Sequence, residues 1–405
     1  MFVLMDWYVF QAVRYFLDEI SGNWKKVVYI LYWTITALCI AGLLYYNLGG
    51  KNDMGRVLKT LIFTVIFVNF FSKIFGVLFL MVDDLGRVVR WVWQQFVPDS
   101  TASHSKTSEG ISRSDFLVKG AVIATAVPAL TMGYGIISGA YNYRVRKTQI
   151  YLDNLPASFD GIRIAQLSDI HSGSFFNKTA VEGGIDLLLN EKPDVVFFTG
   201  DLVNDRADEM KDYQPIFSKV KAPLGVYSTL GNHDYGNYTE WSSPKAQRKN
   251  LQTLITIHKQ MGWDILMNEN RTIKQGGDEL AILGVENWGT GGFPKKGRLD
   301  QAYEGTDRAA VKLLLSHDPS HWDAQVRPQY PDIDLMFAGH THGMQFGIEI
   351  GDFKWSPVQY RYKQWAGLYK ENQQHLYVNR GYGFLVFPGR IGILPEVAII
   401  ELKKA

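Results

Sequence analysis

Residues 195–201 read Val-Val-Phe-Phe-Thr-Gly-Asp, and this stretch decides the fold of the second half of the chain. Four β-branched or aromatic residues in a row are typical of a strand that is buried on both faces. The run ends abruptly in Thr-Gly-Asp, so that an acidic side chain, Asp201, stands just after the strand. A polar residue in that place predicts a functional group at the carboxyl edge of a parallel sheet.

The same pattern recurs along the chain. Short apolar runs at 162–167, 226–230, 311–315 and 335–338 end in Ser-Asp-Ile-His, Gly-Asn-His-Asp, Ser-His and Gly-His-Thr-His. Between the early runs, residues 179–190 and 208–220 have the amphipathic pattern of helices. The alternation predicts an α/β fold in which functional residues gather at the carboxyl ends of strands.

Side chains suited to metal binding are concentrated at these strand ends. They comprise five of the nine histidines, three acids and one asparagine, namely His171, His233, His317, His340, His342, Asp169, Asp201, Asp234 and Asn232. One histidine after a strand is usually a capping or core residue, but so many together indicate a site. Imidazole and carboxylate ligands suit Mn, Fe, Zn or Co, and the set is too rich in nitrogen for Ca or Mg.

The other potential ligands have ordinary explanations. Cys39 is the single cysteine, which excludes a thiolate metal site and a disulfide framework. His258, His321 and His375 do not follow such strands and are expected to be structural, although His321 lies four residues after His317. His104 lies in a stretch rich in Ser and Thr, where we expect a surface histidine.

Five blocks together resemble, in order, the signature of the calcineurin-like metallophosphoesterases: Asp-x-His at 169–171, Gly-Asp at 200–201, Gly-Asn-His-Asp at 231–234, His317, and Gly-His-x-His at 339–342. The resemblance covers about 162–402. Asn-Arg-Gly-x-Gly at 379–383, with Pro388 and Arg390, is similar to bacterial members that carry membrane segments or export signals. The resemblance implies a four-layer α/β/β/α sandwich and two divalent metal ions (Mn, Fe or Zn).

The same resemblance implies a role for each residue. One metal would be held by Asp169, His171 and His342, the second by Asn232, His317 and His340, and Asp201 would bridge them. A hydroxide bridging the two cations would attack the phosphate ester in line. His233 would lie beside the substrate as general acid, and Asp234 would orient it. Gly200, Gly231 and Gly339 precede ligands at turns where a side chain would crowd the backbone or force a positive φ.

Residues 1–140 have the composition of a membrane region. Stretches at 27–48, 61–82 and 116–140 are long and apolar enough to cross a bilayer, and residues 1–17 form either a fourth span or an interfacial helix. We expect a linker at 98–114, a connector at 141–161 and the phosphoesterase domain at 162–405. Basic residues near the span ends favour, by a narrow margin, a multi-pass cell-membrane protein with its catalytic part outside the cytoplasm.

Several features around the site have two readings. Residues 235–275, 287–293 and 360–369 could overhang the metals and select the substrate, or could pack the rim of the sandwich. Arg380 and Arg390 could contact a phosphate, or could pair with acids.

The chain is predicted to be a membrane-anchored hydrolase of phosphate mono- or diesters, with a lipid or cell-envelope phosphate as one candidate substrate. One alternative is a pyrophosphatase acting on a UDP-linked acylated sugar in lipid A synthesis. A rival of another class is a non-catalytic membrane scaffold or sensor with the same fold. A transporter is disfavoured because the spans hold few internal polar residues apart from Lys73. The net charge of +2, without a basic tract, gives no case for nucleic acid.

Overall fold

The computed structural model describes residues 2–18, 22–50, 54–96 and 113–405. Most of the predicted linker, residues 98–112 with His104, lies outside the described residues. The chain divides into two compact units, Met1–Tyr134 and Gly135–Ala405. Each unit is described by itself below.

The first unit is helical. Its helices are α1 (Phe2–Asp18), α2 (Trp24–Tyr45), α3 (Arg56–Phe96) and α4 (Arg113–Ile137), the last of which ends in the second unit. Within the described residues, three stretches are long and apolar enough to cross a membrane: Trp24–Gly49, Val57–Phe96 and Asp115–Tyr141. These are the three spans that the sequence predicts, and α1 covers the additional apolar segment at the start of the chain.

The helix α3 is much longer than the predicted span at 61–82. It contains 41 residues. At about 1.5 Å per residue it is roughly 60 Å long, which is twice the thickness of about 30 Å of a bilayer's hydrocarbon core. No proline interrupts residues 83–96, so the helix continues beyond the apolar stretch on which the prediction was based.

An ion pair lies inside the first unit. Lys73 pairs with Asp6, and both residues are buried. The hydroxyl of Tyr32 donates to the backbone carbonyl of Asp6 at 2.8 Å. Because an unpaired charge in a membrane is costly, the pair explains how α3 tolerates a lysine in the middle of an apolar stretch.

The second unit contains two six-stranded sheets. The first has the order β1-β14-β2-β3-β4-β5, and the second has the order β12-β13-β9-β8-β7-β6. The strands are β1 (Arg144–Leu152), β2 (Arg163–Leu167), β3 (Val195–Phe198), β4 (Val226–Ser228), β5 (Asp264–Ile265), β6 (Glu269–Gln275), β7 (Asp278–Gly284), β8 (Val311–Leu315), β9 (Leu335–Ala338), β10 (Ile348–Ile350), β11 (Phe353–Trp355), β12 (Gly367–Glu371), β13 (Gln374–Val378) and β14 (Glu396–Lys404). β10 and β11 form a separate hairpin.

Helices cover the outer face of each sheet. They are α5 (Lys178–Asn190), α6 (Gln214–Phe217), α7 (Pro244–Gln260), α8 (Leu299–Tyr303) and α9 (Arg327–Gln329). Buried side chains of β2 and β3 pack with those of β8 and β9 between the sheets. The other faces of the two sheets pack against α5 and α7 and against α8, respectively. The layers therefore follow the order α/β/β/α, as the resemblance implies.

Two regions differ from the prediction. The expected connector at 141–161 contains β1, which pairs in parallel with β14 along its whole length. The expected helix at 208–220 is reduced to α6, which has four residues. Pro215 lies in the first turn of α6 and lacks the N–H that a helix continuing from residue 208 would need there.

The five strands that end in potential ligands form as predicted, and they are parallel neighbours within each sheet. β2, β3 and β4 lie side by side in the first sheet, and β8 and β9 are adjacent in the second. Their carboxyl ends therefore lie at one edge of each sheet, where the loops that follow them carry the site.

Candidate metal centre

Two groups of side chains that could hold a metal ion are found among the described residues. The first consists of Asp169, His171 and His342, and the second of Asp201, His317 and His340; within each, the ligand atoms lie within 4.8 Å of one another. In the first group, the Nε2 atoms of His171 and His342 are 3.0 Å apart. His342 Nε2 also lies 3.3 Å from Asp169 Oδ1. Nitrogen and oxygen atoms that could bind a metal thus lie close together in this group.

Asp201 lies between the two groups. Its Oδ2 is 3.1 Å from His317 Nε2 in the second group and 3.5 Å from His171 Nε2 in the first. Asn232 joins the second group, because its Oδ1 lies 2.8 Å from His340 Nδ1. The structure therefore brings together all seven residues that the sequence predicts as ligands.

The loops that carry these side chains are held in an unusual backbone conformation. Five of the seven residues have a positive φ, between 48° and 70°: Asp169, His171, Asp201, His340 and His342. The left-handed region costs a residue with a side chain about 1–2 kcal/mol, so such conformations are kept where the surrounding structure fixes them. Their clustering at one place is typical of a functional site.

Glycines allow the loops to approach the carboxylates closely. A Cβ at Gly231 would lie 2.2 Å from Oδ1 of Asp201, and one at Gly339 would lie 2.2 Å from Oδ2 of Asp169. Gly200 has a φ of 97°. Both reasons predicted for these glycines, crowding and positive φ, therefore occur in the site.

Hydrogen bonds orient the ligands. His317 Nδ1–H donates to the carbonyl of Thr199 at 2.7 Å, so that Nε2, which faces Asp201, is the nitrogen available to a metal once its proton is lost. The backbone N–H of His233 donates to Asp201 Oδ1 at 2.9 Å, so that Oδ2 is the oxygen turned to both groups. Such partners fix ring tautomers and carboxylate orientation in metal sites.

Burial controls the charge of the histidines. It lowers the pKa of His171 to about 3 and that of His340 to about 4, and it holds the pKa of His342 well below its usual value. These rings are neutral at physiological pH, the form that binds a metal. For His317, burial also lowers the pKa, but the adjacent Asp201 carboxylate raises it further, to about 10.

The donor set fits divalent cations. Imidazole nitrogens and carboxylate oxygens converge in both groups, and Asn232 adds a neutral oxygen. This mixture suits Mn, Fe or Zn better than Ca or Mg, which prefer oxygen alone. The metal-ligating character that the sequence suggested is thus matched by the geometry.

His233 stands at the margin of the first group. Its ring centroid is 4.9 Å from that of His171, and the side chain is only partly buried. Its Nδ1–H donates to the backbone carbonyl of Asn204 at 2.8 Å. This hydrogen bond, which the sequence does not reveal, leaves Nε2 as the ring atom available to a bound molecule.

The expected role of Asp234 in orienting His233 is wrong, because its carboxylate binds backbone instead. It accepts hydrogen bonds from the N–H groups of Gly231, Asp201 and Leu202, each at 2.9 Å, and of Val203 at 3.3 Å. Asp234 therefore ties the loop after β3 to the loop after β4. It supports the position of Asp201 rather than that of the histidine.

Aromatic side chains surround the site. Tyr238 accepts from the Asn232 amide at 2.8 Å and stacks near His233, with ring centroids 4.4 Å apart. The hydroxyl of Tyr362 is 2.8 Å from His340 Nε2, and the ring of Phe293 meets His340 edge-on. Each of the three segments flagged in the sequence thus contributes one aromatic ring next to a ligand or to His233.

Asp318 is a site residue that sequence reasoning missed. It is buried, and its Oδ2 lies 3.8 Å from His340 Nε2 and has no hydrogen-bond partner among the described residues. The only signal in the sequence was its place directly after His317.

The two arginines flagged in the sequence are buried and structural. Arg380 pairs with Glu396 at 2.8 Å and with Glu349 at 2.6 Å. Arg390 donates to the backbone carbonyl of Gly381 and lies 3.3 Å from His342 Nδ1. Arg380 therefore pairs with acids, as one of the two interpretations expected, but these acids lie inside the domain and not on its surface. Arg390 supports the loop behind the first group.

The other three histidines of the described residues, His258, His321 and His375, lie outside both groups. The two ring nitrogens of His321 contact Ser316 Oγ at 2.8 Å and Gln325 Oε1 at 2.9 Å. His258 contacts Ser228 Oγ at 3.0 Å, and His375 is buried in β13. This placement agrees with the structural role expected for all three.

Comparisons with known proteins match both parts of the chain. The family model described as "Calcineurin-like phosphoesterase" matches residues 162–344, and the one described as "Probable Calcineurin-like phosphoesterase, transmembrane domain" matches residues 1–140. The "Uncharacterized metallophosphoesterase YkuE" of Bacillus subtilis (strain 168) is 30% identical over 302 residues, which cover 72% of this chain and 98% of that relative. The chain belongs to the calcineurin-like phosphoesterases.

Two further relatives of this calcineurin-like phosphoesterase differ in length. The "Transmembrane protein with metallophosphoesterase domain" of Danio rerio is 28% identical over 292 residues, covering 70% of this chain and 63% of the relative. "Phosphodiesterase YaeI" of Escherichia coli (strain K12) is 27% identical over 244 residues, covering 59% of this chain and 82% of the relative. The chain thus spans less than two thirds of the length of the Danio rerio relative. In the present chain, the match of residues 1–140 to the transmembrane domain and the three apolar helices support a location in a membrane.

Proposed function

We propose that this calcineurin-like phosphoesterase is a membrane-anchored, dinuclear hydrolase of phosphate mono- or diesters. The observation that carries the proposal is the position of Asp201, whose Oδ2 faces both groups of ligands. One cation would be held by Asp169, His171 and His342, the other by Asn232, His317 and His340, and both by Asp201. When bound, two such cations would offset the negative charge of the phosphate and lower the pKa of water.

His233 would act as the general acid. Asn204 holds the proton on its Nδ1, so that Nε2 is left to carry a proton to the leaving oxygen. The partial exposure of the ring, next to buried ligands, suits a group that meets a substrate. Asp234 would act indirectly, by fixing the backbone around Asp201.

The completeness of the site supports catalysis over a scaffold or sensor role. A protein that used this fold only for binding would have no need for neutral, buried imidazoles turned to two common centres. Nor would it need five residues in a costly backbone conformation around them.

For the substrate, we propose an amphiphilic phosphate diester at the bilayer surface. The apolar helices would keep the catalytic unit close to lipids, and aromatic side chains such as Tyr238 and Tyr362 border the ligands. The relative named "Phosphodiesterase YaeI" supports a diester over a monoester. We infer Mn, Fe or Zn as the metal from the mixed nitrogen and oxygen donors.

Hydrolysis by the purified full-length chain in detergent tests the proposal. After chelation, Mn, Zn or Fe is added back, and release of p-nitrophenol is measured from bis-p-nitrophenyl phosphate and from p-nitrophenyl phosphate. We expect metal-dependent turnover that is faster on the diester. No turnover of either compound with any of the metals would contradict the enzymatic function.

Two variants separate metal binding from proton transfer. Asp201→Ala is expected to lose both bound metal and turnover. His233→Ala should keep its metal but lose about 10²–10⁴-fold in turnover, the usual contribution of a general acid. Asp186→Ala, which removes an exposed acid on α5, is the matched control and should change neither. Equal metal loss in the Asp201 and His233 variants would contradict the assignment of roles.

A further inference from the structure

The hairpin of β10 and β11 follows closely after the ligand His342 in the chain. We refer to residues 346–355 as the apolar hairpin. Ile348 is paired with Trp355, and Ile350 with Phe353, in antiparallel register. Since directly paired residues and alternate residues of a strand share a face, these four apolar side chains lie on one face of the hairpin.

The opposite face is polar and is attached to the body of the second unit. Glu349 accepts from Arg380 and from Arg146, each at 2.6 Å. Lys354 donates hydrogen bonds to the backbone carbonyl of Ala366 and, at 3.3 Å, to the hydroxyl of Tyr369. The charged side chains of the two strands are therefore engaged inward, and the hairpin is held with its apolar face outward.

This arrangement is the reverse of the usual one. Antiparallel sheets of soluble domains turn their apolar face to the core and their polar face to water. Here the exposed fractions are 47% for Ile348, 73% for Ile350 and 62% for Phe353. Val386, on a neighbouring loop, is 93% exposed and adds to this surface. The Gln345 side chain holds that loop by hydrogen bonds to the backbone of Leu385 and Phe387, the residues before and after Val386. A concentrated apolar surface of this kind marks contact with a membrane or a partner.

Backbone contacts connect the hairpin to the end of α4, a helix long and apolar enough to span a membrane. Phe346 forms a bridge to Ile391, and the N–H of Gly347 donates to the Ile391 carbonyl at 2.9 Å. The N–H of Arg390, the preceding residue, donates at 3.1 Å to the carbonyl of Gly135, which lies in the last turn of α4. The base of the apolar hairpin is thus two backbone contacts away from the point where α4 ends.

We propose that the apolar hairpin rests in the interfacial layer of the same bilayer that α4 crosses. Aliphatic and aromatic side chains on an otherwise tethered surface suit the boundary between headgroups and acyl chains. A bilayer is favoured over a protein partner because the base of the hairpin lies close to the end of an apolar helix. In addition, the two strands turn no charge outward, and Asp352 in the turn between them is the one exposed charged residue of the apolar hairpin. The contact would hold the loop that carries His340 and His342 near the headgroups, whether or not the site hydrolyses phosphate.

Lipid quenching of a fluorescent label on the full-length chain tests this proposal. Cys39→Ser removes the single cysteine, and Ile350→Cys then accepts a nitrobenzoxadiazole label. The labelled protein is reconstituted into phosphatidylcholine vesicles with or without doxyl-labelled lipid. Because the quencher is in both leaflets, the direction of insertion does not affect the reading. We expect severalfold quenching and a blue-shifted emission.

The matched control carries the same label at Tyr151→Cys. Tyr151 is an apolar side chain of similar exposure, 55%, at the far end of β1 from the membrane helix. It should remain unquenched, which excludes insertion driven by the dye. An unquenched label at Ile350, repeated at Phe353→Cys, would overturn the proposal and indicate a surface that faces water or a protein partner. Equal quenching at Tyr151 would overturn it as well.

Discussion

Replacing Asp234 by alanine is expected to destabilise the second unit, Gly135–Ala405, strongly. The buried carboxylate accepts three hydrogen bonds at 2.9 Å, from the N–H groups of Gly231, Asp201 and Leu202, and a longer one from Val203 at 3.3 Å. An unpaired buried donor costs about 1–3 kcal/mol, so the three short bonds at about 1.5 kcal/mol each give roughly 4–5 kcal/mol. For a domain of this size, that loss corresponds to a melting temperature lower by roughly 10–18 °C.

Thermal unfolding of the full chain in detergent, with metal analysis of the same samples, measures this effect. Asp234→Asn keeps one acceptor oxygen in the same volume, and we expect it to fall between the wild type and Asp234→Ala. Asp186→Ala on the exposed face of α5 should stay within about 0.5 kcal/mol of the wild type. Metal content should fall in Asp234→Ala because the loop carrying Asp201 loses its support. An unchanged melting temperature and full metal content would refute the reasoning.

Three further outcomes are expected. Because His317 has a pKa of about 10 without metal, metal binding must displace its proton; affinity measured by calorimetry should rise about tenfold per pH unit between 7 and 9, and a flat profile would contradict this. Arg380→Met removes the nearest cation from the buried Glu396, which keeps the Tyr377 hydroxyl, a backbone N–H and a longer contact of 3.9 Å to Arg146. It should cost about 3 kcal/mol in thermal unfolding, with KM unchanged; a raised KM without destabilisation would instead favour phosphate binding. Lys73→Met should lower thermal stability more than the same change combined with Asp6→Asn, whereas equal losses would argue against the ion pair.

The parts of the site that could be predicted depend on neighbours in the sequence. Each ligand-bearing loop follows a buried strand directly, as Asp201 follows β3 and His317 follows β8. Because the ligands come directly after a strand that the sequence makes recognisable, finding the strand also finds the ligands. The layer order could be anticipated for the same reason, since the strands alternate with helices such as α5.

The parts that could not be predicted depend on partners far away in the sequence. β1 is rich in charged residues and resembles a connector until β14 pairs with it. The target of Asp234 is a set of backbone N–H groups on another loop, which carry no sequence signal. Arg380 is next to the ligand loops in space, but the acid Glu396 that engages it lies across a turn of the chain.

The place of β14 has a consequence for how the protein is made. It follows the other described strands in the sequence, yet it lies between β1 and β2, pairing with both. By the time it leaves the ribosome, the apolar helices have been synthesised and β1 is already attached to the end of α4. Until then, β1 has no neighbour in the sheet and one edge of β2 is open to other chains. The growing chain must therefore protect a half-built sheet until residues 396–404 are made, and loss of those residues would leave β1 without a partner strand.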